Sequence, residues 1–381
     1  MRADRGFSIV ELLVATLVML AVSAAAFALL NPSTGALQAQ SEAVDVQQRL
    51  RAGASMLYGD LAAAGAGPDR GPRAGPLVQS FAPVLPFRRG TNADDPPGTF
   101  FTDRMTILSV PAAAPHATLA AAGPPLDSDA IGVDPQPQCP PIDPLCFFAA
   151  GTSVAIFDES AHADLVSITA VSSSYPTPFL QHANQRLAFT AYPPSTTSVV
   201  GMSMASYALD RAGIQLVVSN GGVDAPVISN VVDLAFTYYG DPQPPQIGTY
   251  GPQPPPIDEQ APGLAWPPGE NCAFAVVAGA QVPRLAVLGA GPALVPLSAA
   301  QLTDGPWCPD AANANRWDAD LLRVRAVGVQ LRVQAAIAAL RGPAGVLFTV
   351  AGTGRDASRW VPDREVTFRV SPRNMNLGRA P

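Results

Sequence analysis

The chain contains no lysine; all 23 of its basic residues are arginine. Isopeptide cross-links through lysine are therefore excluded, and so is a Walker-type phosphate loop, which needs a lysine to reach the phosphates. The nearest glycine loop, Ala351-Gly352-Thr353-Gly354, reads as a turn. Charge is scarce at 14% of residues, with a net charge of −7. No basic patch with interleaved aromatics occurs. A nucleic-acid surface requires one, so no nucleic-acid partner is expected. Histidine is limited to His116, His162 and His182, dispersed in loop-like sequence without an HExxH or paired-ligand arrangement. The cysteines lack a C-x-x-C pair, and no histidine stands beside any of them, which disfavours zinc. Gly201-Met202-Ser203-Met204-Ala205 approaches a nucleophile elbow but lacks its final glycine and sits in a strand pattern. These absences leave no catalytic residue, no metal site and no cofactor to expect.

What is abundant is proline and glycine, 41 and 32 in 381 residues. That composition implies long loops joining short strands. The length suffices for one large domain or two small ones beyond an anchor.

The N-terminus carries the strongest signal. A leader, MRADRG, precedes FSIVELLVATLVMLAVSAAAFALL, an apolar run to Leu30 with Glu11 as its one acid. A membrane-spanning helix needs about 20 apolar residues. A carboxylate within such a span costs on the order of a few kcal/mol, so a lone one points to function. Arg2 and Arg5 would hold the N-terminus in the cytoplasm by the positive-inside rule.

The stretch Gly6-Phe7-Ser8-Ile9-Val10-Glu11-Leu12-Leu13-Val14-Ala15 resembles the processing motif of type IV prepilins and type II secretion pseudopilins. It combines a basic leader, a Gly-Phe junction, Glu at the fifth position beyond it, and an apolar run. The resemblance implies cleavage by prepilin peptidase between Gly6 and Phe7, N-methylation of Phe7, and assembly into a helical fibre through the first helix. Glu11 would neutralise the new amine of a neighbour's Phe7, because a buried charge is tolerated only when paired. Two plainer readings compete: a secretory signal peptide cut near Ala24-Ala25-Ala26, and a membrane anchor without a fibre role.

Beyond residue 31 a helical pattern resumes after Asn31-Pro32, which would kink or interrupt it. Leu37, Val44, Leu50, Leu57 and Leu61 recur at helical spacing and end at Ala64-Gly65-Ala66-Gly67-Pro68, a helix stop. The segment 47–67, with Leu57, Asp60, Leu61 and Gly65, is similar to the helix end of PilW-like minor pilins and GspJ-like minor pseudopilins.

Short strands are then expected at Met105–Val110, Ser153–Phe157, Leu165–Val171, Met202–Asp210, Ile214–Ser219, Val231–Tyr239, Leu322–Val333 and around Val366–Val370. The order resembles a PilW-like head, with Arg373-Asn374 at its ending. Residues 83–150 and 240–320, rich in proline, read as insertions on one sheet edge. Arg323 and Arg325 read as solvated face positions. Cys139, Cys146, Cys272 and Cys308 all follow the anchor, and an even count outside the cytoplasm favours disulfides. Three connectivities are open. Nearest-neighbour pairing gives Cys139–Cys146 and Cys272–Cys308, worth about 2.5 and 4 kcal/mol by loop closure. Asp310, Asn313, Asn315, Asp318 and Asp320 leave open a calcium loop, against the plainer reading of a polar loop before a strand.

The expected fold is α+β: leader 1–6, membrane helix 7–31, amphipathic helix 32–68, and a β-rich head 69–381. The resemblance implies a minor pilin that primes or caps a type IV pilus. Its partners would be prepilin peptidase, other minor and major pilins, and the assembly platform in the inner membrane. The head would be periplasmic and, after assembly, at the cell surface. A GspJ-like pseudopilin of type II secretion and a tip adhesin are the alternatives.

Overall fold

The computed structural model describes residues 8–71, 74–93, 99–122, 128–159, 162–173, 177–182, 187, 189, 191–221, 223–246 and 266–377, with the backbone alone over 28–34. The chain divides into two compact units. One comprises the helix to Arg51 with Val333–Arg364; the other comprises Ala52–Arg332 and the chain from Glu365.

Helix α1 runs over Ile9–Ala63, 55 residues. It continues through Asn31 and Pro32 without the break that was one of the two expectations there. Proline forfeits one ladder hydrogen bond, and the turns on either side carry the helix past it. Within the first unit, Val46 is fully buried and Glu42 nearly so. The Glu42 carboxylate accepts hydrogen bonds from Arg49 at 3.0 Å and from the Ala336 amide. Arg49 also donates to Asp45 at 2.7 Å and to the Gln334 carbonyl. Arg341 donates to the Gln334 side chain at 2.6 Å. A buried charge survives by such pairing. Thus Val333–Arg364, counted with the head from sequence, clasps the helix over 42–49.

The second unit is built on sheets. A ten-stranded sheet contains β1 (Val84–Pro86), β2 (Arg104–Ser109), β3 (His116–Thr118), β4 (Ala130–Gly132), β5 (Ser153–Phe157), β6 (Ala163–Ser172), β7 (Phe179–His182), β8 (Ser198–Asp210), β9 (Gln215–Ser219) and β10 (Ala225–Ser229). Its main path is β1-β2-β8-β5-β6-β7-β4, with β3 and β9 also on β8, and β10 on β9. These pairings are antiparallel. A four-stranded sheet has the order β14-β11-β17-β18, from β11 (Val231–Gly240), β14 (Val295–Leu297), β17 (Val324–Val333) and β18 (Arg364–Val370). Two ribbons complete it: β12 (Phe274–Val277) with β13 (Ala280–Pro283), and β15 (Trp307–Cys308) with β16 (Trp317–Asp318).

The alternating segments form strands because alternate side chains bury on one face. Residues 83–150 are more than an edge insertion: they supply β1 to β4, and β2 pairs with β8 over six residues. Met105 and Ile107 are buried, which gives that strand its place inside the sheet.

The end of α1 lies on β8. Leu57 and Leu61 are fully buried, and the Tyr207 hydroxyl of β8 donates to Asp60 at 2.5 Å. Burial and the Asp60 carboxylate push that phenol well above its usual range. Tyr58 packs on Phe368 of β18, ring centroids 6.5 Å apart. Gly65, at φ +79°, turns the chain out of the helix; its amide donates to Leu108 and Val110 donates back to Ala66, tying the exit to β2. A side chain at Gly65 would be strained there and would press on Met375 and Pro83. At the other end of the sheet a second apolar cluster gathers Ile131, Val154, Ile156, Ile168, Leu180 and Val199.

Leu61→Ala is expected to cost about 2–5 kcal/mol by leaving a cavity. Tyr207→Phe is expected to cost about 1–3 kcal/mol, since Asp60 loses its donor. Urea unfolding of the full chain in detergent, followed by tryptophan fluorescence, measures both. An unchanged midpoint in either variant would contradict this packing.

Candidate functional site

Gly6 and Phe7, the expected cleavage and methylation positions, lie outside the described residues. The described chain starts at Ser8, which caps α1: its side-chain oxygen accepts the Val10 amide at 3.3 Å, and its carbonyl accepts the amides of Glu11 and Leu12. Ser8-Ile9-Val10-Glu11 has the S-x-x-E pattern of a helix start, a signal that could have marked Ser8 from sequence. Glu11 is exposed in the first helical turn. The partial positive charge of that terminus favours a carboxylate by about 0.3–1 kcal/mol, which offsets part of its cost in an apolar segment.

Ile9–Phe27 is long and apolar enough to cross a membrane, and no residue of its apolar window is buried within the protein. Nineteen residues at a helical rise span about 28 Å, close to the hydrocarbon thickness of a bilayer. Ile9, Val10, Leu12, Val14 and Val18 point to different sides of the helix and are all exposed, so the apolar surface runs around the helix rather than along one stripe.

Both disulfides join sequence neighbours. Cys139 is bonded to Cys146, beside the buried Leu145 and Phe148. Cys272 is bonded to Cys308 in the β15–β16 ribbon, where Cys308 faces Trp317. Near that bond Trp266 donates to the Pro309 carbonyl at 2.6 Å, and Arg284 stacks over the Trp266 ring. The second disulfide thus pins the chain emerging from the proline-rich stretch.

The five residues considered for calcium do not converge. Asp310 accepts the amides of Ala312 and Asn313, and Asn313 accepts that of Asn315, all local turns. Asn315 reaches away to the Leu165 carbonyl and to Thr91. Only Asp318 and Asp320 come together, joined by Asp304, with carboxylate oxygens within 4.8 Å of one another. Asp304 lies fourteen positions before Asp318, and nothing in the spacing marked it. Asp318 is fully buried; its two oxygens accept the amides of Gly305 at 2.6 Å and Asp320 at 2.8 Å. Asp320 pairs with Arg323 at 2.8 Å. Arg323 is buried, not solvated, and donates to the Ala286 carbonyl at 3.0 Å. It lies in a short 3-10 helix, Ala319–Arg323, rather than in the strand, and that turn directs it inward. Arg325 is also held, by Asp241 at 2.7 Å. The group serves to anchor the loop before β17.

Burial raises Asp318 to about 7, with Asp320 and Asp304 adding to the effect against its two amide donors. Burial likewise raises Asp320 to about 6, opposed by Arg323.

No family model matches the chain, and no curated protein or solved structure matches it.

Between about pH 4 and their raised values of about 7 and 6, Asp318 and Asp320 hold protons in the folded state that the unfolded chain would release. Their stabilising contribution is therefore complete below about pH 4 and lost as pH rises through 6 to 7. Stability is expected to fall by about 1 kcal/mol per pH unit from these groups across that window. Asp320→Asn should lower stability overall, because Arg323 loses its partner, while flattening this slope. Unfolding midpoints of both proteins between about pH 5 and 8 give the two profiles, and parallel profiles would contradict the assignment.

Proposed function

We propose that this chain is a minor type IV pilin of the PilW-like kind, anchored in the inner membrane with its head in the periplasm, which primes or caps fibre assembly. One observation carries the reading. A capped helix with apolar surface on every side begins two residues after Gly6-Phe7 and holds one acid, Glu11, in its first turn. An ordinary span gains from that acid only the small stabilisation of its helix start, less than the cost of a carboxylate in an apolar segment. A helix that enters a bundle of parallel copies does, because the amine freed at Phe7 needs a counter-charge in an apolar core.

Other features support the same reading. The disulfides suit an oxidising compartment. The last turns of α1 rest on an antiparallel sheet, so the head is carried by the same helix that would enter the fibre. The head is far larger than that of a major pilin. Such bulk fits poorly at every position of a close-packed helical stack and fits at its end. Prepilin peptidase would process the chain, and other pilins and the inner-membrane platform would receive it.

Glu11→Ala is expected to leave membrane insertion intact, since removing an acid favours an apolar helix. Entry into fibres should fall, because breaking a buried pair from one side typically costs about 3–5 kcal/mol. A subunit at the tip has no neighbour ahead of it, so the defect should be partial. Co-purification with sheared fibres, with a count of fibres per cell, measures it. Entry equal to wild type would sink the role given to Glu11.

A further inference from the structure

The last turn of α1 carries an acid where the helix itself disfavours one. The partial negative charge of a helix C-terminus favours a cation and opposes a carboxylate, by about 0.3–1 kcal/mol. Asp60 stands in that turn, and the turn holds no basic residue. Its one partner is a neutral phenol: the Tyr207 hydroxyl donates to Oδ2 at 2.5 Å. The other carboxylate oxygen, Oδ1, accepts no hydrogen bond and no arginine pairs with it among the described residues. Asp60 is thus a negative charge without a counter-charge.

Beside it opens a cleft of about 220 Å³, built wholly within the second unit. Met56, one turn before Asp60 on the same face of the helix, forms one wall. Strands β2 and β8 form the floor, where Ile107 lies opposite Ala205 and Ser109 opposite Ser203. Val218 and Asn220 close the side at the end of β9. The side chains of Ser109, Ser203 and Asn220 make no hydrogen bond among the described residues, so their polar atoms are free for a ligand. Met56, Ile107, Ala205 and Val218 supply the apolar part of the lining.

This lining selects its occupant by chemistry. Pockets for drug-sized molecules run about 300–1,000 Å³, so this one suits a single side chain. The unmatched carboxylate calls for a cation. Calcium takes six to eight oxygens, commonly from several carboxylates, and the apolar walls supply none. A guanidinium binds a carboxylate best through both oxygens, and Tyr207 already holds one. An ammonium is a point charge with three donors on a flexible four-carbon stem. Its donors match Oδ1 of Asp60, the two serine hydroxyls and the Asn220 side-chain carbonyl, and its stem matches the apolar walls. We infer that the cleft receives a lysine side chain of a partner protein. This chain contains no lysine, so a second copy cannot supply it. The site rests on the head alone and stands independently of the fibre reading.

The test uses the full chain in a non-ionic detergent. Nα-acetyl-lysine amide is the probe, with the arginine and norleucine analogues for comparison, and saturation-transfer NMR with titration gives binding. The lysine probe is expected to bind with a Kd of about 3 mM or tighter, ahead of both analogues. Asp60→Asn removes the charge and keeps an acceptor for Tyr207; it should weaken binding at least about tenfold. Ser203→Phe, at an exposed lining position, should obstruct the cleft and weaken binding as much. Wild-type circular dichroism in both variants would place the loss in the cleft. Absence of lysine-probe binding, or binding undiminished in Asp60→Asn or in Ser203→Phe, would overturn the proposal. Binding of the arginine or norleucine analogue as tight as that of lysine would overturn it in favour of a guanidinium site or a plain apolar pocket.

Discussion

The constraint on which this molecule depends is an apolar helix that its own chain does not cover. Burying one large aliphatic or aromatic side chain is worth about 1.5–3 kcal/mol, and α1 exposes such side chains from Ile9 to Phe27. Soluble monomers rarely leave so large a contiguous apolar surface in water. The helix is long and apolar enough for a bilayer to cover it, and on the proposed function a sheath of like helices would do so in the fibre. Each further feature of the N-terminus has meaning relative to that cover. Ser8 satisfies an amide at the helix start, and Glu11 places a carboxylate where the helix terminus stabilises it; on the proposed function an incoming amine would do so as well.

The head solves a different problem with one strand. β8 is the centre of the large sheet, bonded along its length to β2, β3, β5 and β9. Its Tyr207 face anchors the end of the helix and its Ser206 face floors a polar cleft. On the opposite face the loop at Gly90 is held down by Thr106 and Ser206.

The strands were legible because alternation is a local signal. Leu234–Gly240 and Val329–Val333 alternate buried and more exposed positions, and the sequence shows this directly. The stop at Gly65 was legible for the same reason: a positive φ there demands glycine. What escaped depends on contacts distant in sequence. Arg323 reads as a solvated strand residue until a 3-10 turn rotates it onto Asp320 and Ala286. Asp304 joins Asp318 only through the fold of their loop. The hydroxyls of Thr106, Ser206 and Ser219 are unremarkable one by one and form a row only once register places them side by side. The grouping of Val333–Arg364 with the helix rests on Glu42 and Arg49, nearly three hundred residues away in the chain.

The central claim is that the apolar helix is the core-forming segment of a processed fibre subunit. The mature N-terminus tests it most directly. Intact mass and N-terminal sequencing of the chain from membranes of cells containing prepilin peptidase should show a protein beginning with N-methyl-Phe7. A chain that retains Met1 would contradict the account, as would one that begins at Ala25 or beyond.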